Sequence, residues 1–176
     1  MPAEAGLSPV VAKPLTMLIA ILSDTHSREA TIRKALDLVA QRGAGLILHC
    51  GDIEDAEVIP LFPAKMHFVY GNCDSDRAGI ARAITRGGSI LHENFGHVEQ
   101  DGLNLGFTHG DDTTLLRDLI HSEAFDFVFH GHTHVIRDEM VKATRVINPG
   151  ALHRARVKTF ALLDTATRRI EWIEVE

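Results

Sequence analysis

The first half of the chain alternates short apolar runs with amphipathic stretches. The run MLIAIL, which ends at SD, is typical of a buried strand. Residues 28–43 then carry apolar side chains at helical spacing before a terminal glycine, namely Ile32, Ala35, Leu36, Val39 and Ala40. The alternation of strand and helix then continues. GLILHCGD and KMHFVYGN are predicted strands, separated by a short helix in EDAEVIPLF that is expected to stop near Pro60 and Pro63, and a capped helix follows in SDRAGIARAITRGG. This alternation predicts a parallel sheet with right-handed crossovers.

The second half of the chain has a different pattern, dominated by hairpins. Asp101 and Gly102 separate two strand-like runs, which is a hairpin signal. A helix, TTLLRDLIHSEAF, and a short strand, FDFVF, follow, and residues 135–150 and 158–176 each have the pattern of a hairpin. One parallel sheet does not accommodate so many hairpins. We therefore predict an α/β fold in which two mixed sheets pack together with helices outside, a four-layer arrangement.

Polar side chains follow five of the apolar runs directly. In open α/β sheets, ligands bind beyond the carboxyl ends of the strands. The candidate metal ligands at these ends are Asp24, His26, Asp52, Asn72, His109, His132 and His134. The set therefore contains three carboxylate or amide groups and four imidazoles.

The spacing and chemistry of these residues favour a metal centre. Asp24 and His26 are two positions apart, as are His132 and His134, and in an extended chain such positions point the same way. Glycines stand beside the ligands where a bulky side chain would crowd the chain, at Gly51, Gly71, Gly110 and Gly131. Mixed nitrogen and oxygen donors suit Mn²⁺, Fe or Zn²⁺ better than Ca²⁺. Seven ligands exceed what one catalytic ion usually takes, so we expect two ions that share Asp52.

Length and charge limit the classes of protein that remain. A chain of 176 residues suits one domain with a substantial core. A net charge of −6 argues against non-specific nucleic-acid binding. The same charge disfavours binding of an anionic substrate, unless bound cations or another local feature make the electrostatic potential at the site positive.

The N-terminal segment and the cysteines indicate where in the cell the protein is expected. Residues 1–15 lack the basic start and apolar core of a signal peptide and are interrupted by Pro9 and Pro14, so we expect a flexible leader before one domain at 16–176. Six apolar residues in MLIAIL are too few to span a membrane. Two cysteines do not form a disulfide framework, and we expect a cytoplasmic setting.

The motifs DTH, GD, GNCD, THG and GHTH, in this order, resemble those of the calcineurin-like metallophosphoesterase superfamily. The chain is most similar to its small, single-domain bacterial and archaeal phosphodiesterase branch, over roughly residues 17–164. The resemblance implies a four-layer αββα sandwich with a dinuclear site. It also implies one ion held by Asp24, His26, Asp52 and His134, and a second held by Asp52, Asn72, His109 and His132.

The resemblance further implies roles in catalysis. Asp52, Asn72 and His109 would serve the reaction, in which a metal-bridging hydroxide attacks the phosphorus. Substrate contacts would come from Asn72, Cys73, Asn148 and Gly150. Two motifs depart from the common pattern: Cys73 stands where many members have histidine, and Ala151 ends an NPGA segment that is usually NPGS. Without that histidine, esters with good leaving groups should be favoured.

Several neighbouring residues have simpler interpretations. His49 and His130 are expected to be buried or to orient the ligands. Cys73 is not expected to be a nucleophile, because no motif pairs it with a base. One of the three residues 74–76 is expected to cap the following helix.

We therefore predict a phosphodiesterase with two divalent ions and a small phosphoester substrate. Mn²⁺ is the first choice of metal, with Fe, Zn²⁺, Ni²⁺ and Mg²⁺ as alternatives. A phosphomonoesterase is the alternative enzyme, and a protein-binding scaffold like the eukaryotic retromer subunit is the alternative from another class. The sequence leaves the natural substrate, the native metal and homo-oligomerisation open.

Overall fold

A computed structural model describes residues 17–176, so the predicted leader at 1–15 lies outside the described residues. The strands are Leu18–Leu22 (β1), Leu46–His49 (β2), His67–Phe68 (β3), Ile90–Leu91 (β4), Phe95–Gln100 (β5), Leu103–Thr108 (β6), Phe127–Phe129 (β7), Arg137–Val141 (β8), Thr144–Asn148 (β9), Thr159–Asp164 (β10) and Arg169–Glu174 (β11). The helices are Glu29–Arg42 (α1), Arg77–Arg86 (α2) and Thr113–His121 (α3), with a 3₁₀ helix at Ala56–Leu61.

The strands form two mixed sheets. The first has the order β11-β10-β1-β2-β3-β4, in which β1 to β4 run parallel and the β10–β11 hairpin pairs antiparallel with β1. The second has the order β5-β6-β7-β9-β8, in which β6, β7 and β9 are parallel and the edge strands β5 and β8 are antiparallel. Each predicted hairpin is therefore present.

Three apolar clusters hold the layers together. Between the sheets, Ile19 and Leu48 of the first sheet pack with Phe107 and Phe129 of the second. The other face of the first sheet is covered by α1, α2 and the 3₁₀ helix, and the other face of the second sheet is covered by α3. These layers confirm the predicted four-layer fold of two mixed sheets flanked by helices.

The helices begin and end where their sequences indicate. Gly43 ends α1 in the left-handed conformation with φ of 71°, which a glycine adopts without steric cost. Asp76 caps α2 by accepting a hydrogen bond from the backbone N–H of Gly79, and Asp112 caps α3 in the same way. Of the three candidates for the cap of α2, Asp76 therefore has that role.

One local feature differs from the sequence-based expectation, and one agrees with it. The third strand is only two residues long, because Val69 and Tyr70 bond to the carbonyls of His49 and Glu93 as the chain turns toward the strand ends. The 3₁₀ helix ends at Leu61, between Pro60 and Pro63, as predicted, and Pro60 lies inside its last turn. A short 3₁₀ helix has few internal hydrogen bonds, so the missing N–H of proline removes little. No helix within residues 17–176 is long and apolar enough to cross a membrane.

Candidate dinuclear metal centre

The strand ends of both sheets bring the predicted ligands to one place. The segments after β1, β2 and β3 supply four of the residues, and those after β6 and β7 supply the other three. Backbone bonds join the segments, since Asp24 donates to the carbonyl of Gly51 and Gly131 donates to the carbonyl of His109. The floor of the resulting cluster is buried and its rim is open. Buried are Asp24, His26, Asp52 and His109, while Asn72 and His132 are exposed and His134 is partly exposed.

One group of donors forms around Asp24. Ligand atoms of Asp24, His26 and His134 all lie within 4.8 Å of one another. Nε2 of His134 lies 3.1 Å from Oδ1 of Asp24. The other carboxylate oxygen, Oδ2, accepts the backbone N–H of His132 at 3.2 Å. This bond fixes the loop of residues 130–134, here called the histidine loop, to the end of β1.

A second group forms around His109. Its Nδ1 lies 2.8 Å from the carbonyl of Cys50 and donates to it, which directs Nε2 toward the cluster. Nε2 then lies 3.1 Å from Oδ1 of Asn72 and 3.4 Å from Oδ2 of Asp52. Nδ1 of His132 lies 2.9 Å from the same oxygen of Asn72. Several acceptor atoms therefore converge on one point, an arrangement that a proton or a cation stabilises.

Asp52 connects the two groups. Its Oδ2 lies 3.5 Å from Nε2 of His26 and 3.4 Å from Nε2 of His109, while Oδ1 accepts the backbone N–H of Cys73 at 2.8 Å. Burial opposes ionisation of this carboxyl, but the hydrogen bond and charge of His109, with the bond from Cys73, hold its pKa well below the usual range. Asp52 is thus a carboxylate that both groups share.

The same interaction changes the titration of His109. Burial lowers the pKa of this imidazole, but the hydrogen bond and charge of Asp52, with the charge of Asp24 and the Cys50 carbonyl, raise it to about 9. Without a cation at the centre, a proton on Nε2 therefore compensates the charge of Asp52 at neutral pH.

Two buried polar atoms test whether the site suits metal ions. Among the described residues, Oδ1 of Asp24 and Nε2 of His26 are buried without a hydrogen-bond partner. The close Nε2 of His134 does not make a hydrogen bond with this oxygen, although it is 3.1 Å away. Unpartnered buried polar groups are costly and rare in proteins. Both atoms belong to one donor group, so the residues fit a divalent cation with nitrogen and oxygen ligands.

The backbone at the site is unusual in conformation. Five of the predicted ligands have positive φ: Asp24 at 56°, His26 at 42°, Asp52 at 57°, His132 at 65° and His134 at 57°. Left-handed conformations cost about 1–3 kcal/mol at non-glycine residues and are concentrated at functional sites. The expectation of an extended chain at the two ligand pairs was therefore wrong. Only the second pair diverges, since His134 lies at Asp24 while His132 lies at Asn72, whereas Asp24 and His26 belong to one donor group.

Two glycines are required by close approach to the ligands. A Cβ at Gly71 would collide with Oδ1 of Asp52, and a Cβ at Gly131 would collide with Oγ of Ser23 and lie 2.6 Å from Oδ2 of Asp24. Real Cβ atoms essentially never approach other atoms so closely. The crowding predicted at these positions is therefore caused by the side chains of Asp52 at Gly71, and of Ser23 and Asp24 at Gly131.

The surrounding polar residues hold the ligand segments in place. His49 is fully buried, accepts the N–H of Gly51 at 3.2 Å and lies 3.1 Å from Oγ1 of Thr25. Burial lowers its pKa to about 3, so the ring is neutral. His130 is also buried, and its Nδ1 donates to the carbonyl of Gly131 at 3.1 Å. Both histidines thus orient ligand segments, as expected.

Asp74 is a positioning residue that sequence analysis missed. Its buried carboxylate accepts the backbone N–H groups of Gly71, Glu54 and Asp52 at 2.7, 2.7 and 3.1 Å. It therefore joins the segments that carry Asp52 and Asn72. The sequence signal was present, because Asp74 is the last residue of GNCD, but we treated it only as a candidate helix cap.

The predicted substrate contacts differ in position. Asn148 has no exposed surface, and its Nδ2 donates to the carbonyl of Gly131 at 2.9 Å and to Oγ1 of Thr133 at 3.0 Å. Its Oδ1 accepts the N–H of Gly150, which is also buried, at 2.9 Å. In this structure both residues support the histidine loop, and their contact with substrate stays a prediction.

Cys73 lies at the rim of the centre. Its sulfur is within 4.8 Å of ligand atoms of His26 and Asp52, although we expected no thiol among the first ligands. Burial, with the hydrogen bond and charge of Asp52, raises the pKa of the thiol to about 11. The thiol is thus protonated at neutral pH, which disfavours a nucleophilic role.

The fold and the donor set together define the class of metal-dependent phosphoesterases. The sequence profile of the calcineurin-like phosphoesterase superfamily domain matches residues 17–168. A phosphodiesterase of Methanocaldococcus jannaschii is 34% identical over 91% of this chain and 100% of its own length. A probable metallophosphoesterase of Bacillus subtilis is 30% identical over 87% of this chain and 89% of its own. The structure of an archaeal phosphodiesterase superposes with a TM-score of 0.83 and 32% identity, covering 90% and 99% of the two chains. The chain therefore belongs to the calcineurin-like phosphoesterase superfamily.

Proposed function

We propose that the protein is a metal-dependent phosphodiesterase whose seven strand-end residues hold two divalent cations. The observation that carries this proposal is the pair of buried, unpartnered atoms on Asp24 and His26, which lie beside the carboxylate of Asp52. The match to phosphodiesterases over nearly the whole chain supports the same reaction.

The ion assignments are those that the resemblance implies, and the distances between the donors support them. Asp24, His26 and His134 would hold one ion, and Asn72, His109 and His132 the other, with Asp52 shared between them. When bound, two divalent ions make water a strong nucleophile near neutral pH and neutralise the charge on the phosphoryl group. The chain itself carries a net charge of −6, so the cations would also permit an anionic substrate to bind.

The chain's own residues have separate tasks in this scheme. The carbonyl of Cys50 holds the ring of His109 so that Nε2 faces Oδ2 of Asp52. The backbone N–H of Cys73 fixes the carboxylate of Asp52, while the exposed amide of Asn72 stands at the open rim, where a phosphoester would enter. The thiol of Cys73, with its raised pKa, is a weak acid toward a leaving group. Diesters with good leaving groups should therefore react fastest.

For the metal we propose Mn²⁺, because the donors are carboxylate, amide and imidazole groups without a thiolate. Fe, Zn²⁺, Ni²⁺ and Mg²⁺ remain the alternatives. We also propose a small phosphoester as the substrate and the cytoplasm, a reducing compartment, as the location, in keeping with two free cysteines.

The test compares two aryl esters on the metal-stripped, full-length protein after Mn²⁺ is restored. We expect bis(4-nitrophenyl) phosphate to be hydrolysed with a higher kcat/KM than 4-nitrophenyl phosphate. His109→Ala should abolish the activity, whereas His121→Ala, at the exposed end of α3, should leave it unchanged. A higher kcat/KM on the monoester would make the protein a phosphomonoesterase. Absence of hydrolysis with two ions bound would favour a scaffold.

A further inference from the structure

The charges around the candidate centre are distributed unevenly. Acidic side chains, including the exposed Asp55 and Asp76, follow Asp52 and Asn72 in the chain. Beside His26, the charged groups that act on His153 are Arg28, Arg154 and Glu54, whose Oε2 lies 3.6 Å from Nδ1 of His26. Two cations and one anion therefore surround this side of the rim, in a chain whose net charge is negative.

His153 holds a defined position next to a predicted ligand. Its ring packs edge-on against the ring of His26, with the ring centroids 5.4 Å apart. The segment before it is anchored, because Leu152 is fully buried and its N–H donates to the carbonyl of Ser23 at 3.2 Å. The position of His153 beside the centre is thus set by the fold.

Arg28 completes this side of the rim. Its Nη2 lies 3.4 Å from Nε2 of His153, and its backbone N–H donates to the carbonyl of Thr25. The neighbouring acid, Glu29, pairs with Arg33 at 2.7 Å and not with Arg28. Within residues 17–176, Arg28 has no carboxylate partner within 4 Å, so its guanidinium is free to take an anion.

We propose that Arg28, positioned by His153, forms a subsite for a second anionic group of the substrate, beyond the phosphodiester that is cleaved. This inference rests on the proposed function and names the substrate class, a phosphodiester that carries a further phosphate, as in a nucleoside bisphosphate ester. Arginine binds phosphate oxygens with two parallel hydrogen bonds, which makes it suited to this role. The guanidinium is exposed, so the second phosphate should increase kcat/KM only modestly, by about fivefold to tenfold.

The kinetic test uses two diesters with the same leaving group. They are thymidine 5′-(4-nitrophenyl phosphate) and the same compound with a 3′-phosphate, assayed with the Mn²⁺-loaded protein. We expect the wild-type protein to prefer the 3′-phosphorylated diester about fivefold to tenfold in kcat/KM, mainly through KM. Arg28→Gln should remove the preference, Arg28→Lys should keep part of it, and His153→Ala should reduce it. Arg33→Gln, which removes an equal charge from the first turns of α1, just after Arg28, is the matched control and should keep it.

A binding measurement separates this inference from the proposed reaction. Calorimetry compares thymidine 3′,5′-bisphosphate with thymidine 5′-monophosphate on the same variants, whose metal content is measured in parallel. Tighter binding of the bisphosphate that is lost in Arg28→Gln supports the subsite, even if neither diester is hydrolysed. If both diesters are hydrolysed without preference, or the bisphosphate binds no tighter than the monophosphate, the subsite is refuted while the hydrolase assignment stands on its own result.

Discussion

Metal uptake by this centre should depend steeply on pH, because a proton occupies the position of one metal bond. In the metal-free protein, Asp52 raises the pKa of His109 to about 9, with Nδ1 already committed to the carbonyl of Cys50. A cation that binds Nε2 must displace the proton, so affinity increases as pH rises toward 9 and is constant above it. At pH 7, about two pH units below this pKa, displacing the proton costs about 3 kcal/mol, which is about a hundredfold in the binding constant.

The assay is calorimetric titration of Mn²⁺ into metal-free protein at pH 7 to 9, in buffers of different ionisation enthalpy. We expect release of about one proton for the ion that binds at His109 at pH 7, and an affinity that increases about tenfold per pH unit. An ordinary imidazole is already neutral in this range, so the proton identifies a group with a raised pKa. The control His121→Ala should leave the slope unchanged. An affinity that is constant from pH 7 to 8.5, without proton release, would refute the reasoning.

Three substitutions test other parts of the account. Asp52→Asn removes the shared charge and should lower the metal content to one ion or fewer per chain, with kcat/KM reduced at least about a thousandfold; full activity with two ions would contradict the sharing of Asp52. Cys73→Ser should change the hydrolysis of an aryl diester less than about threefold, because the thiol is protonated, and a loss above about a hundredfold with both ions bound would mean that the thiol takes part in the chemistry. Gly131→Ala should destabilise the protein by about 2 kcal/mol in urea unfolding, since the added Cβ meets Ser23 and Asp24, and an unchanged midpoint would show that the loop can move away.

The layers of the fold could be predicted from periodicity because each element has a clear pattern. The amphipathic spacing of α1 and the turn residues Asp101 and Gly102 determine local structure with little help from distant residues. The third strand was predicted in KMHFVYGN, but its short length and the presence of β4 were not, because their two-residue pairing depends on where neighbouring strands end. Local propensity carries no information about such tertiary limits.

The candidate site was predictable in composition but not in geometry. The residue types after each strand identified the donors, yet the left-handed backbone at Asp24 and His132 depends on how the loops pack. The role of Asp74 was hidden for the same reason, since two of its three N–H partners, Asp52 and Glu54, lie 22 and 20 positions earlier in the chain. The side of the rim that carries Arg28 and His153 joins residues 125 positions apart, which a single sequence does not relate.

The most direct test of the central claim is anomalous diffraction from crystals of the full-length protein soaked in Mn²⁺. The account predicts two peaks, one among Asp24, His26, Asp52 and His134 and the other among Asp52, Asn72, His109 and His132. In crystals of His134→Ala the first peak should weaken, and in crystals of His132→Ala the second should. A single peak, a peak away from Asp52, or the same peak lost in both variants would contradict the assignment of a dinuclear centre.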